Sequence, residues 1–372
     1  MTAEAASAER TPLEERLVTL IKANGPISVA DFMADALGHP HDGYYTSQMA
    51  IGAEGDFTTA PEVSQVFGEL IGLWLVQAWI EMGEPAAFNL VELGPGRGVL
   101  MADILRAAQV RPGFLKAATL WLVETSGRLR HEQQKRLRTQ KLKPLWADEF
   151  SEIAAAPYLI VANEFFDCLP IRQYERIEAG WRERLIGLSA DGAGLEFTHA
   201  KTPPPRDVNL PAADSVDVGA IAETCDAANA VAGEISRALT EQGGRALIVD
   251  YGYASDEIGD TLQAVRKHKY WPVLSAPGRA DITAHVNFAA LSRAALDAGA
   301  SAWGPVSQGA FLTRLGLGAR LERLCEGKTP QEVEMLVAGA KRISAPEAMG
   351  EVFKALCLSA PNLPAPAGFE AP

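Results

Sequence analysis

The stretch Phe88-Asn89-Leu90-Val91-Glu92-Leu93-Gly94-Pro95-Gly96-Arg97-Gly98 decides the fold. Apolar Phe88, Leu90, Val91 and Leu93 precede the glycines, and Val99-Leu100-Met101-Ala102-Asp103-Ile104-Leu105 follows them, which reads as buried strand, glycine turn and helix. Glycines at alternate positions let the backbone turn sharply off a strand and approach a ligand closely, because no Cβ blocks the angles or the contact. Spacing separates the candidate ligands. A dinucleotide pocket takes glycines at the first, third and sixth places of the turn, and here the sixth place is Val99. For an isolated motif, a glycine turn with no ligand is the alternative.

The acidic-x-Gly-x-Gly-x-Gly pattern resembles the first motif of class I S-adenosylmethionine-dependent methyltransferases. The resemblance implies that Gly94, Gly96 and Gly98 hold the amino-acid part of the methyl donor and that Glu92 places its ammonium group. Further along, Thr119-Leu120-Trp121-Leu122-Val123-Glu124 reads as a second apolar strand ending in a carboxylate, and such a group accepts both ribose hydroxyls of a nucleoside. Asp148 follows a third short strand, where related methyltransferases contact the adenine.

Composition bounds the alternatives. A chain of 372 residues with 48% apolar content buries a large core and is expected to form one main domain with insertions or a small accessory domain. The formal net charge of −13 argues against nucleic acid as a partner and suits a basic protein or peptide. Cys168, Cys225, Cys325 and Cys357 have no metal-ligand or disulfide spacing, so no metal is expected and a reducing compartment is. With no signal or transit peptide at the start and no apolar run of about eighteen residues, the expectation is a cytoplasmic protein with no membrane insertion.

Thr11-Pro12-Leu13-Glu14 reads as a capping box that opens a helix ending at Gly25, and residues 28–37 repeat the device with Asp31 three after Ser28. A long aperiodic segment rich in turn formers and aromatics follows, of the kind that is functional more often than decorative. Pro61 opens an expected helix whose stripe Val63, Val66, Phe67, Leu70 and Trp74 marks a core helix running to Met82-Gly83. Residues 126–138 read as a helix with a basic, solvated face. The apolar run Tyr158-Leu159-Ile160-Val161-Ala162 is expected to be a central parallel strand that delivers Asn163-Glu164-Phe165-Phe166-Asp167 to its carboxyl end, the ligand edge of open α/β sheets. Residues 174–197 alternate as a β-meander, residues 245–252 form the next buried strand, Asn287 caps a helix, residues 310–343 are helical and residues 353–359 form the last strand. The expected divisions are an N-terminal helical segment and loop at 1–85, methyltransferase parts at 86–174 and 216–310, a β-rich insertion at 175–215, a helical insertion at 311–345, and a strand and tail at 346–372.

Assembled in order, the blocks His41-Asp42-Gly43-Tyr44-Tyr45, Gly55-Asp56-Phe57-Thr58-Thr59-Ala60-Pro61-Glu62-Val63-Ser64, the Glu92 loop, Asn163 to Asp167, Asp250-Tyr251-Gly252 and Ala280-Asp281-Ile282-Thr283-Ala284-His285-Val286 resemble the MidA-like methyltransferases, whose mitochondrial members are complex I assembly factors. The resemblance covers nearly the whole chain. It implies a Rossmann-like α/β fold with a seven-stranded, mostly parallel sheet, S-adenosyl-L-methionine as cofactor, and methylation of an arginine in a subunit of respiratory complex I. Oligomeric state is left open, a homodimer being one option.

A guanidinium is a poor nucleophile because it is charged, delocalised and has a pKa above about 12. Carboxylates hold it bidentately and polarise one nitrogen; Glu164 and Asp167, close to where other arginine methyltransferases carry acidic residues, are assigned that role. His285 is the candidate base or orienting group, a structural histidine being the alternative, Asn163 joins the cofactor set, and Tyr44, Tyr45, Phe57 and Phe165 are the candidate walls of the substrate slot. The competing readings are a small-molecule methyltransferase, a non-catalytic assembly factor on the same scaffold, and an NAD-dependent oxidoreductase, the last disfavoured by Val99.

Overall fold

The computed structural model describes residues 10–47 and 59–369. The chain divides into two compact units, one of residues 1–57, 167–228 and 256–285, the other of residues 58–166, 229–255 and 286–372.

The second unit is built on one sheet. Its main strands are β1 (Phe88–Leu93), β2 (Ala118–Val123), β3 (Pro144–Ala147), β4 (Tyr158–Asn163), β5 (Gly244–Tyr253), β6 (Ser301–Ser307) and β7 (Phe353–Ser359). They lie in the order β3-β2-β1-β4-β5-β7-β6. The first five are parallel to one another, and β7 runs antiparallel to both of its neighbours. The two-residue strand Val286–Asn287 adds an eighth member beside β5. β1, β4 and β5 are apolar almost throughout and buried almost throughout, as central parallel strands covered on both faces must be. The expected mixed seven-strand sheet is therefore present. β6 was not among the expected strands because Gly304 and Pro305 interrupt it; it lies at the sheet edge, where a proline's missing donor is tolerated.

The expected core helix is two pieces. Ala60–Val63 makes a single turn, Ser64 is extended at φ −151°, and the helix resumes over Gln65–Glu81. Its stripe is buried as expected, with Val66, Phe67, Leu70 and Trp74 all in the core. Helix Val99–Ala107 packs against it so closely that a Cβ on Gly68 would lie 2.5 Å from that of Asp103. Three helices, Gln308–Arg314, Leu317–Cys325 and Pro330–Ser344, fill the expected helical insertion, and Asn287 accepts from Ala290 N at 2.9 Å as the cap of helix Phe288–Asp297.

In the first unit, helix Pro12–Asn24 is capped by Thr11, whose hydroxyl accepts from Glu14 N, and Val29–Gly38 by the full Ser28/Asp31 capping box. The meander pairs Arg172–Ile177, Gly180–Leu188 and Leu195–His199 antiparallel, and Ile221–Thr224 and Ile27–Ser28 extend it. A second small sheet joins Gln263–Arg266, Lys269–Trp271 and Asp281–Thr283.

Candidate active site

Each strand of the β2-β1-β4-β5 group ends at the same edge of the sheet. After β1 the backbone turns through Gly94, Gly96 and Gly98, all at positive φ (61°, 51° and 74°), a conformation that costs a side chain strain and a glycine none. Gly94 N donates to Val123 O at 3.1 Å, tying the turn to the end of β2. Gly98 then caps helix Val99–Ala107. Phe165 lies against the turn: a Cβ on Gly94 would come within 2.9 Å of its ring.

Glu92 is 3% exposed, and its Oε2 has no hydrogen-bond partner among the described residues. Burial, with the nearby charge of Glu124 adding to it, pushes its carboxyl up to about 8. Glu124 is also buried and raised by that burial, but it is compensated: Oε1 accepts from Ser126 N at 2.8 Å and Oε2 from Gln133 Nε2 at 3.2 Å. Burial raises both carboxyls, and hydrogen bonds oppose the shift at Glu124. Asn163, at the end of β4, is a second buried acceptor, with an Oδ1 that has no partner among the described residues; its amide donates to Glu164 Oε1 at 3.1 Å. Unpaired buried acceptors are rare and ask for a donor. Glycine backbone, Glu92 Oε2, Asn163 Oδ1 and the oriented Glu124 together fit a ligand bearing an ammonium group and a ribose.

A family model described as "Putative S-adenosyl-L-methionine-dependent methyltransferase" matches residues 70–306. The chain belongs to that family. It is 36% identical over 94% of its length to the mitochondrial protein arginine methyltransferase NDUFAF7 of Mus musculus, covering 84% of that protein. To the Drosophila melanogaster homolog it is 34% identical, over 93% of this chain and 84% of the other. A Burkholderia thailandensis protein solved with S-adenosyl-homocysteine bound superposes with a TM-score of 0.81 at 25% identity, over 99% of this chain and 94% of that one. This chain is accordingly an S-adenosyl-L-methionine-dependent methyltransferase, and the strand order above is the frame on which it is built.

The methyltransferase's other candidate residues are placed as follows. Glu164 adopts φ 51°, a left-handed conformation unusual outside glycine; its N donates to Val249 O at 2.9 Å and its Oε1 accepts from Ala60 N at 3.2 Å. Asp148 is 63% exposed and ion-paired with Arg130 at 2.6 Å. In the other unit Asp167 is buried, and its carbonyl accepts from Ala284 N at 2.9 Å. Tyr45 donates to Asp281 Oδ1 at 3.0 Å, and burial, then the charges of Asp281 and its neighbours, hold its hydroxyl well above the usual range. Tyr44 is in the core at 1% exposure and meets Tyr45 edge-on at 5.3 Å. His285 is half-buried, its N donates to Thr261 Oγ1 at 2.9 Å, and burial lowers its pKa against the opposing charge of Glu257. Phe57 lies outside the described residues.

Several participants escaped the sequence reading. Asp250 is fully buried and accepts from Phe166 N and Tyr251 N, both at 2.9 Å, fixing the chain beyond β4 to β5; a lone acid inside the apolar run 245–252 was its signal. The basic helix Gly127–Leu137 is not merely solvated. Arg130 Nε donates to Glu124 O at 2.7 Å, Arg136 Nε to Arg97 O at 3.0 Å, and Gln133 is wholly buried. Arg97 in the turn pairs with Glu62 at 3.5 Å.

Proposed function

We propose that this methyltransferase acts on arginine in a protein, a subunit of respiratory complex I, in support of the complex's assembly. The reading draws on relatives named as protein arginine methyltransferases and matched over more than nine-tenths of this chain, and on the carboxylates that follow β4. It extends to a bacterial cytoplasm as the site of action, in keeping with four free cysteines. Among the described residues no helix is long and apolar enough to cross a membrane.

Bound donor supplies an electrophilic methyl group on a sulfonium. The chain's residues do the rest. Glu92 Oε2 and Asn163 Oδ1 would take the donor's ammonium end, Gly94, Gly96 and Gly98 would let the backbone come close, Glu124 would take the ribose, and Asp148 is the candidate contact for the base. Glu164 is the candidate to hold the guanidinium and draw its charge to one side, which leaves the facing nitrogen more nucleophilic. Phe165 is the candidate flat face beside it. Asp167, His285 and Tyr45, which belong to the other unit, keep their candidate roles as second carboxylate, base for the proton that nitrogen loses, and ring face. The single observation that carries the reading is Glu164: a carboxylate held in a strained conformation at the carboxyl end of β4, beside the donor cradle.

The test is incubation of the purified enzyme with isotopically labelled donor and a membrane-and-cytosol extract from cells lacking it. Label is expected in methylarginine of a respiratory-chain subunit. Label confined to lysine, to carboxyl groups or to small molecules would overturn the arginine reading.

A further inference from the structure

Gln133 stands in the apolar stripe of its helix, four residues from Leu129 and four from Leu137, with all three buried. Packing alone would be satisfied by another leucine there. Instead, each end of the amide is engaged. Nε2 donates to Gly96 O at 2.8 Å and to Glu124 Oε2 at 3.2 Å, and Oε1 accepts from Trp146 Nε1 at 2.7 Å. An indole N–H only donates, so Trp146 dictates which end of the amide is oxygen, and the NH2 end is left facing the loop carbonyl and the carboxylate. The turn also touches the helix directly, since a Cβ on Gly98 would lie 3.5 Å from Gln133 Cα.

Glu124 is correspondingly fixed through both oxygens, one by Ser126 N and one by Gln133. An ionised carboxylate accepts about four hydrogen bonds, which leaves Glu124 acceptor capacity for a ribose hydroxyl beyond its contacts with Ser126, Gln133 and the Thr125 backbone. We propose that Gln133, aimed by Trp146, is a positioning residue for the methyl donor: it locks the glycine turn and the β2 carboxylate into one relative geometry. This rests on the reading that those two elements hold the donor.

The substitution that discriminates is Gln133→Glu, which keeps size and the acceptor for Trp146 but presents an anion to Gly96 O and Glu124. Calorimetric binding of S-adenosyl-homocysteine is measured for wild type and variant at pH 6 and pH 8.5. At pH 8.5 the variant is expected to bind about 30-fold more weakly than wild type, and the ratio is expected to narrow at pH 6, where the new carboxyl gains a proton to donate. A merely structural role would give no such pH-dependent recovery. Trp146→Phe, which frees the amide to rotate, is expected to lose about 5-fold at both pH values, and it carries the test if Gln133→Glu does not fold. Affinities equal to wild type in either variant overturn the positioning role. Failure of wild type to bind defeats the donor-pocket reading itself, and the two failures are told apart by that arm.

Discussion

Glu164→Gln is expected to reduce single-turnover methyl transfer by about 10²–10⁴-fold, the effect of losing about 3–5 kcal/mol when one partner of a desolvated charge pair is removed. Donor affinity should stay within about threefold of wild type, because the glutamine keeps an oxygen to accept from Ala60 N and Asn163 Nδ2, contacts that help to hold this side chain in place. The separation of the two readouts is the point: a scaffold residue would lose both, and a charge that meets the guanidinium would lose only transfer. Transfer at the wild-type rate would mean that Glu164 serves the fold alone.

Glu92→Gln is expected to act in opposite directions on the empty and the bound protein. The carboxyl is raised from an ordinary 4.5 to about 8 by burial, so the folded state takes up a proton that the unfolded chain lacks between those values. That contribution is fully present below about pH 4.5 and is lost as pH rises through 8, with a slope of up to about 1.4 kcal/mol per unit. Glutamine removes the slope, so the unliganded variant should melt higher than wild type at pH 8 and match it near pH 5. Bound cation reverses the preference. An ammonium at Oε2 favours the carboxylate, so donor binding to wild type at pH 7 should release about 0.9 proton, read from titrations in buffers of different ionisation enthalpy. The variant should release none at this site and bind about 10²-fold more weakly. Parallel melting curves for the two proteins across pH 5–8 would show that Glu92 is not the buried acid described here.

What the chain disclosed in advance follows from how local each signal is. The β1 turn, the β2 carboxylate, the Asn287 cap and the last strand each rest on a few contiguous residues, and β7 falls on the expected 353–359. Interruptions were harder. Ser64 is extended although nothing in Ala60-Pro61-Glu62-Val63-Ser64-Gln65 breaks helical spacing, so this interruption had no local signal. The strands Gln263–Arg266, Lys269–Trp271 and Asp281–Thr283 are three or four residues long and pair across an irregular stretch, too short for a period to show. At the site, carboxylates and glycines announced themselves by type, whereas Gln133 was hidden by the arginines and lysines around it. Its spacing from Leu129 and Leu137 was the available signal, a polar residue occupying an apolar place.

The central claim is that the glycine turn and its two carboxylates form a working donor pocket, and calorimetric titration of the purified protein with S-adenosyl-L-methionine tests it most directly. NADH serves as the control ligand and Gly94→Val as the blocked pocket, since that position has φ 61° and its Cβ would meet the Phe165 ring at 2.9 Å. Saturable one-to-one binding of the donor, absent with NADH and lost in the variant, is the predicted result. A folded wild-type protein that binds no donor, or a variant that binds it as well as wild type, would contradict the account.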